Sequence, residues 1–174
     1  MSSQDVIKTA LVSILFLMLQ VLFVRNLVLY DVAFCFIYLI IILWLPGEMD
    51  TLWVILISFG VGIFLDMFYN TAGVHAASCT LIGYIRKPIL RSFFPSRGLE
   101  NEIHTSLVEL GHQRYLVYIS IISFIHLTVL FFIEAGGFNL FLNTLTKIIT
   151  SLIFTVLVIY LISVFSYNLG REKK

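Results

Sequence analysis

The sequence predicts an all-α, polytopic integral membrane protein with six transmembrane helices and both termini on the cytoplasmic side. Hydrophobic residues make up 60% of the 174 residues and charged residues only 12%, and the mean hydropathy is +1.02. A soluble domain of this size cannot bury that much apolar surface, because its surface-to-volume ratio is too high. The apolar runs are continuous, whereas a transmembrane β-barrel alternates with a period of two.

Six apolar segments approach the roughly 20 residues that a helix needs to cross a bilayer. The first is predicted to be an uncleaved span, because Arg25 and Asn26 follow it without a small-x-small cleavage site. A Pro-Gly turn at 46–50 ends the second. No repeat or linker divides the chain, so residues 1–174 are predicted to form a single domain. The predicted spans are 7–24, 27–45, 51–69, 73–90, 115–133 and 142–167.

The distribution of lysine and arginine predicts the orientation of these spans, since cytoplasmic loops carry an excess of both. With the N-terminus in the cytoplasm, nine of the eleven basic residues lie inside. Only Arg25 and Lys147 then lie outside. The inner residues are Lys8, Arg86, Lys87, Arg91, Arg97, Arg114, Arg171, Lys173 and Lys174.

The cytoplasmic loop 92–113 is the only long connection between predicted spans. Leu99, Ile103, Leu107 and Leu110 fall on one face at helical spacing, which predicts a short amphipathic helix. Its acidic residues argue against an anionic-lipid anchor, which would be basic. Two roles stay open: a connector packed on the bundle, and a docking helix for a cytoplasmic partner.

The stretch 60–91 is where polar and small residues interrupt the apolar pattern. Asp66 lies inside the third span, where a carboxylate costs a few kcal/mol unless it faces protein or water. Gly60 and Gly62 precede it and allow a neighbouring helix to approach closely. We expect Asp66 to be either an anchor for another helix or an interfacial acid that reaches the outer headgroups.

The fourth span carries a face of small residues, Ala72, Ala76, Cys79 and Gly83, at i, i+4, i+7 and i+11. Such a face favours close helix–helix packing in lipid. The partner helix is either within this chain, which we favour, or in another chain.

Further polar residues map to the outer ends of the spans, where they either converge into one site or remain ordinary solvated residues. His126 lies near the middle of the fifth span and is either a proton relay or a hydrogen-bonding core residue. The outer set is Arg25, Asn26, Asp31, Asp66, Asn70, His75, Glu134, Asn139, Asn143 and Lys147.

Motifs of known enzyme classes are absent from the sequence: there is no GxSxG, HExxH, P-loop or dinucleotide fingerprint. Asp31 and Asp66 lack the flanking residues expected of an intramembrane aspartyl pair. Cys35 and Cys79 stand alone in apolar runs, which excludes a CxxC-type zinc site. We therefore expect no enzymatic activity, no cofactor and no metal.

The residues 60–86, which begin GVGIFLDMFYNTAGVHA, resemble the family of the rod shape-determining protein MreD. That family shows a G-x-L-x-D pattern, a short turn with a glycine, and an L-H-A-like tripeptide. The turn Asn70-Thr71-Ala72 departs from it, since the family often has a proline there. The matching positions are Gly62, Asp66, Gly73, Val74, His75 and Ala76.

The resemblance implies a non-enzymatic, multi-pass scaffold in the bacterial inner membrane that serves cell elongation and peptidoglycan synthesis. Its implied partners are an MreC-like bitopic protein and, through it, RodA, a class B penicillin-binding transpeptidase and the MreB filament. The partner helix is expected at the small and polar residues of spans three and four: Gly60, Gly62, Asp66, Gly73, His75, Ala76, Cys79 and Gly83.

The MreD fold is said to be similar to the substrate-binding S-components of vitamin transporters. The alternative function is therefore an S-component-like subunit that binds a small molecule such as a vitamin. S-components often couple to their transporter through a small-xxx-small face on the first helix. The first span here has Ala10 and Ser13 but no such repeat, which counts against this alternative.

Overall fold

A computed structural model describes residues 3–93, 107–137 and 140–171, and within these ranges the chain is helical without β-strands. The predicted surface-helix residues Leu99 and Ile103, and the outer residue Asn139, lie outside the described residues. A 3₁₀ turn, Val24–Asn26, follows the first helix. The α-helices are α1 Ser3–Leu22, α2 Leu39–Leu43, α3 Thr51–Tyr69, α4 Val74–Phe93, α5 Leu107–Glu134 and α6 Phe141–Arg171.

Four segments of the described chain are long and apolar enough to cross a membrane: Thr9–Asn26, Thr51–Tyr69, Leu110–Glu134 and Phe141–Ser166. They correspond to the predicted first, third, fifth and sixth spans. The predicted fourth span is the helix α4, but it carries Arg86, Lys87 and Arg91 and is not one of these four. An all-helical protein with membrane-spanning character is therefore confirmed, whereas six spans and cytoplasmic termini stay predictions.

The predicted second span, 27–45, is not one continuous helix, and that prediction is wrong. Only α2 is α-helical, and the chain before it is irregular, with an isolated bridge between Leu29 and Ala33. Tyr30 and Asp31 adopt left-handed backbone angles, with φ of 52° and 58°, which end any helix that would start at residue 27. Residues 35–43 are nonetheless buried. We call the irregular part, residues 27–38, the threaded segment.

Irregular backbone is tolerated at membrane depth only where protein groups satisfy its hydrogen bonds. Gln20 of α1 meets this need on one side of the threaded segment. Its Oε1 accepts a hydrogen bond from the Ile37 amide at 2.9 Å, and its Nε2 donates to the Cys35 carbonyl at 3.1 Å. Gln20 itself is completely buried.

Hydroxyl groups of α6 form hydrogen bonds with further backbone amide and carbonyl groups of the threaded segment. The Phe34 amide donates to Ser151 Oγ at 2.9 Å, and the Phe36 amide donates to Thr155 Oγ1 at 3.2 Å. Thr150 Oγ1 donates to the Val32 carbonyl at 3.0 Å. The polar residues of α1 and α6 thus replace the bonds that a helix would have made for itself.

Arg86 fixes the C-terminal end of α2 and the residues that follow it. Its guanidinium donates to the carbonyl groups of Leu43, Leu45 and Pro46, and its Nε donates to Tyr118 Oη at 3.2 Å. Only 2% of the residue is exposed. The sequence pattern used Arg86 only as a marker of the cytoplasmic side, and its contacts add an internal packing role.

The helices α3 and α4 pack through glycine. A Cβ atom on Gly62 would lie 2.4 Å from Ala76 Cα, and one on Gly83 would lie 2.7 Å from Ser58 Oγ. Such distances leave no room for a side chain, so the two backbones need glycine at these positions. Ala76 and Gly83 of the predicted small face therefore pack on a helix of the same chain, as favoured from the sequence, whereas Ala72 precedes α4 and is exposed.

A kink at Gly111 (φ 72°, ψ 161°) divides α5. On its N-terminal side, Leu107 and Leu110 are buried. These are the two described residues of the predicted amphipathic face in the loop 92–113. Their burial favours the connector role over a free docking helix.

Candidate functional site

The turn between α3 and α4 is built by two residues with left-handed backbone angles. Asn70 ends α3 with φ 57° and ψ 40°, and its amide donates to the Asp66 carbonyl. Gly73 has φ +84°, which an L-residue with a side chain adopts only with strain. Gly73 then offers its carbonyl to the Ala77 amide at 2.9 Å, which starts α4.

The Asp66 carboxylate caps α4 from the end of α3. Its Oδ1 accepts the His75 amide at 3.0 Å, and its Oδ2 accepts the Ala76 amide at 2.9 Å. These are orphan amides of the first helical turn, which Gly73 has no side chain to satisfy. The Thr71 hydroxyl and His75 Nδ1, the latter at 3.1 Å, also bond to Oδ1. We call Asp66, Thr71, His75 and Ala76 the Asp66 clasp.

The Asp66 clasp answers the question that the sequence left open about this acid. Asp66 is 8% exposed, and its carboxylate accepts four hydrogen bonds from its own chain. A negative charge at a helix N-terminus is also favoured by the helix dipole. Asp66 is therefore an anchor for another helix, and that helix is α4.

A second buried group lies beneath the clasp. The Tyr38 hydroxyl is 2.7 Å from His126 Nε2, and both residues are completely buried. The ring centroid of Tyr38 lies 6.1 Å from that of His75 and 5.6 Å from that of His126. We call Tyr38, His75 and His126 the Tyr38 centre. It joins the threaded segment to α4 and α5.

Sequence reasoning singled out His75 and His126 separately but missed Tyr38. Nothing in the local pattern marks this tyrosine, because it lies in an apolar run far from both histidines along the chain. His126 is a hydrogen-bonding core residue, which is one of its two predicted roles. Among the described residues, His75 Nε2 and His126 Nδ1 are buried without a hydrogen-bond partner.

The outer polar residues converge only in part. Gln20 Nε2 donates to Tyr69 Oη at 2.8 Å, and Arg25 lies over the Tyr69 ring at 5.1 Å while it donates to the Phe68 carbonyl. Lys147 lies over the ring of Phe34, at 5.7 Å from its centroid. Asp66 and His75 are buried, whereas the remaining described members of the set are exposed: Asn26, Asp31, Asn70, Glu134 and Asn143.

Most residues of the predicted partner site are in contact with their own chain. Six of the eight are buried: Gly62, Asp66, His75, Ala76, Cys79 and Gly83. Gly60 and Gly73 are exposed, and no atom of the described residues lies within 4 Å of the place of a Cβ at either position. Of these two, only Gly60 lies inside a helix. Whether these residues bind a partner stays a prediction.

Asp66 and Asp31 do not form an aspartyl pair in the described structure. The Asp66 carboxylate accepts hydrogen bonds from Thr71, His75 and Ala76, and Asp31 is exposed. Within the ranges that the structure describes, no group of three or more His, Cys, Asp or Glu residues could hold a metal ion. Cys35 and Cys79 are buried free thiols.

Comparison with known proteins finds no matching family model, no matching curated protein and no matching solved structure. The resemblance to MreD therefore rests on the residues 60–86 themselves.

Proposed function

We propose that this chain is a non-enzymatic membrane scaffold of the bacterial cell-elongation machinery and binds an MreC-like bitopic protein in the inner membrane. RodA and a class B penicillin-binding transpeptidase then join through that partner. The MreD-like residues supply the expectation. The observation that carries it furthest is the environment of Gly60, which differs from that of the other helical glycines in the matched stretch.

Glycine inside a helix is about 1 kcal/mol less favourable than alanine. Gly62 and Gly83 are explained within the chain, because a side chain at either would collide with the facing helix. Gly60 is exposed, and among the described residues no atom lies within 4 Å of the place its Cβ would take. Its lack of a side chain therefore brings no benefit to the packing of the part of the chain that is described.

Gly60 lies at the centre of an exposed apolar stripe on α3. Trp53, Leu56, Ile63 and Met67 are exposed by 61%, 49%, 41% and 76%. With Gly60, their spacing is three, four, three and four residues, which is the seam that a partner helix packs against. A small residue in such a seam lets two backbones approach closely in lipid. A transmembrane helix of a bitopic partner fits this stripe.

The test is co-purification with an MreC-like partner from membranes that contain both proteins. Gly60→Leu places a large side chain in the middle of the exposed stripe, and we expect it to reduce the amount of partner recovered. We expect Gly60→Ala to give an intermediate recovery. Ala77→Leu is the matched control, since Ala77 is an exposed small residue on α4. We expect this control to retain the partner. Wild-type recovery with Gly60→Leu, in protein that inserts and folds, would refute the proposed docking site.

Variants of the Asp66 clasp do not serve this test. Asp66→Ala and Gly62→Leu disturb the contact of α3 with α4, so a loss of partner would follow from misfolding as well as from a lost interface. They serve instead as folding controls. A scaffold role also predicts that an inserted Gly60→Leu variant fails to restore rod shape in cells that lack the wild-type chain.

A second candidate is the S-component-like binding subunit, which one observation favours. The buried nitrogen atoms of His75 and His126 that lack partners lie in the interior of the helical bundle, where polar groups can orient a small ligand. Saturable binding of a vitamin to the purified chain, lost in a His126→Leu variant, would favour this candidate over the scaffold.

A further inference from the structure

The C-terminal half of α4 presents an aromatic ring and two cations on one side of the helix. Tyr84, Lys87 and Arg91 follow one another at three and four residues, a spacing that keeps them on one face. Tyr84 is 60% exposed, Arg91 is exposed and Lys87 is half-buried. We call these three residues the basic face of α4. Side chains four residues apart on a helix have Cβ atoms about 5–6 Å apart, so one phosphate group can contact both cations.

The basic face lies at the level of the first turn of α3. The two helices are joined by the short turn 70–73 and run antiparallel, and Gly83 lies opposite Ser58 and Val54. Lys87, one turn beyond Gly83, is therefore level with the start of α3, where Trp53 is 61% exposed. Exposed tryptophan and tyrosine side chains mark the depth at which a bilayer meets water. The aromatic rings of α3 and of the basic face thus put the two cations at the depth of the lipid headgroups.

A further cation lies at the same level on α5 but outside the basic face. Arg86 Nε donates to Tyr118 Oη at 3.2 Å, and eight residues away on each helix the Ser78 backbone lies beside the His126 ring. This antiparallel register continues for four more residues to Arg114, which is exposed. Arg114 is therefore a matched control for the basic face, because it carries the same charge at the same level on a different helix.

The acidic residues at this level leave the basic face unneutralised. Glu48 and Asp50 are exposed and lie just before α3. In the part of the chain that is described, neither Lys87 nor Arg91 forms an ion pair with them. The helix dipole favours negative charge at the N-terminus of α3. The two cations of α4 therefore remain free to bind an anion from outside the described chain.

We propose that the basic face of α4 binds the headgroup phosphate of an anionic phospholipid such as phosphatidylglycerol. Lys87 and Arg91 donate hydrogen bonds to the phosphate oxygen atoms, and the Tyr84 ring packs at the boundary between headgroup and acyl chains. The depth of the cations argues for a lipid, because acyl chains hold a lipid phosphate at that depth and nothing holds a free phosphate ion there. This site is independent of partner binding at Gly60.

A tryptophan placed in the basic face reports lipid binding locally. Tyr84→Trp in a Trp53→Phe chain keeps an aromatic ring beside both cations, and the Trp53→Phe chain alone gives the Trp44 signal to subtract. The protein is reconstituted in phosphatidylcholine bilayers with increasing amounts of brominated phosphatidylglycerol, which quenches a tryptophan that it contacts. Brominated phosphatidylcholine is the neutral reference. We expect phosphatidylglycerol to be preferred at position 84 by roughly fivefold or more.

Lys87→Gln and Arg91→Gln are each expected to weaken this preference about fivefold, because one cation near an anionic lipid surface contributes a factor of that order. Arg91→Lys keeps the charge and should retain most of the preference. Arg114→Gln should leave the preference at position 84 unchanged. Unaltered quenching by brominated phosphatidylcholine shows that each variant is inserted with position 84 facing lipid.

Three results would overturn the proposal. The first is the same preference in the wild type and in a Lys87→Gln, Arg91→Gln double variant. The second is an equal loss in Arg114→Gln and Arg91→Gln, because the attraction would then belong to the whole end of the bundle. The third is displacement of the lipid by inorganic phosphate beyond that caused by sodium chloride of equal ionic strength, which would identify the free ion as the ligand.

Discussion

Asp66 satisfies the first amides of a helix that begins at Val74, and it does so from the preceding helix. The sequence contains the reason: the residue before α4 adopts φ +84°, which favours glycine, and glycine offers no capping side chain. The acid and the glycine therefore form one functional unit. The histidine beside them extends this unit into the bundle through its contact with Tyr38.

Asp66→Ala is expected to destabilise the protein by roughly 1–3 kcal/mol, because it removes a cap and leaves two buried amides unsatisfied. Asp66→Asn should be milder, since one oxygen remains to accept. Thermal unfolding in detergent measures the difference. Glu48→Ala, at an exposed acid outside the left-handed backbone region, is the control and should change stability by less than about 0.5 kcal/mol. Equal stability of Asp66→Ala and Glu48→Ala would rule out the clasp.

Gly73→Ala and Gly60→Ala should shift stability in opposite directions. Alanine at 73 must adopt φ +84°, which costs about 1 kcal/mol or more. Alanine at 60 enters an open helical position, which gains up to about 1 kcal/mol. The pair is compared by unfolding of the purified protein without a partner. A shift of the same sign for both would contradict the assignment of their roles.

At the scale of elements, the threaded segment is supported by its neighbours. A helix satisfies its own backbone, but this segment relies on Gln20, Ser151 and Thr155. These polar residues carry no catalytic pattern and gave no signal in the sequence. Their placement also explains how α1, which is otherwise mostly exposed, stays attached to the bundle.

Gln20→Leu keeps the size of the side chain but removes its hydrogen bonds to Ile37, Cys35 and Tyr69. We expect a loss of several kcal/mol, since each buried group left unsatisfied costs about 1–3 kcal/mol. Ser13→Ala is the control on the same helix, because its hydroxyl donates to the Thr9 carbonyl one turn earlier and not, within the described residues, to the threaded segment. Similar midpoints of unfolding for both variants would show that the segment does not depend on Gln20.

The close contact of α3 with α4 predicts that alanine at position 62 destabilises the protein, unlike alanine at position 60. A methyl group at 62 would lie 2.4 Å from the Ala76 backbone, so Gly62→Ala forces the helices apart. Overpacking of this kind costs about 1–3 kcal/mol. The same unfolding assay should show Gly62→Ala less stable than the wild type. A neutral result would mean that the two helices separate without penalty.

For the whole molecule, hydropathy predicted the helical membrane class because continuous apolar runs depend only on composition. Hydropathy gave a wrong prediction of one continuous helix at 27–45, because a buried irregular segment and a buried helix have similar apolar sequences. Asp66, Gly73 and His75 were recognisable as a group because they lie close together along the chain. Tyr38 was not, since its contact with His126 joins residues that only the folded bundle brings together.

Gly62, Ala76 and Gly83 lie where α3 and α4 meet, whereas the exposed stripe around Gly60 is the surface proposed to bind a partner helix. Cysteine crosslinking in membranes compares the two surfaces directly. Single cysteines are placed along the transmembrane helix of an MreC-like partner. In one arm they are combined with Gly60→Cys in a chain that also carries Cys35→Ala and Cys79→Ala. In the other arm they are combined with a chain that carries Cys35→Ala and keeps its native Cys79. We expect crosslinks at position 60 with helical periodicity along the partner and none at the completely buried Cys79. Crosslinks at Cys79 without any at position 60 would contradict the proposed partner surface.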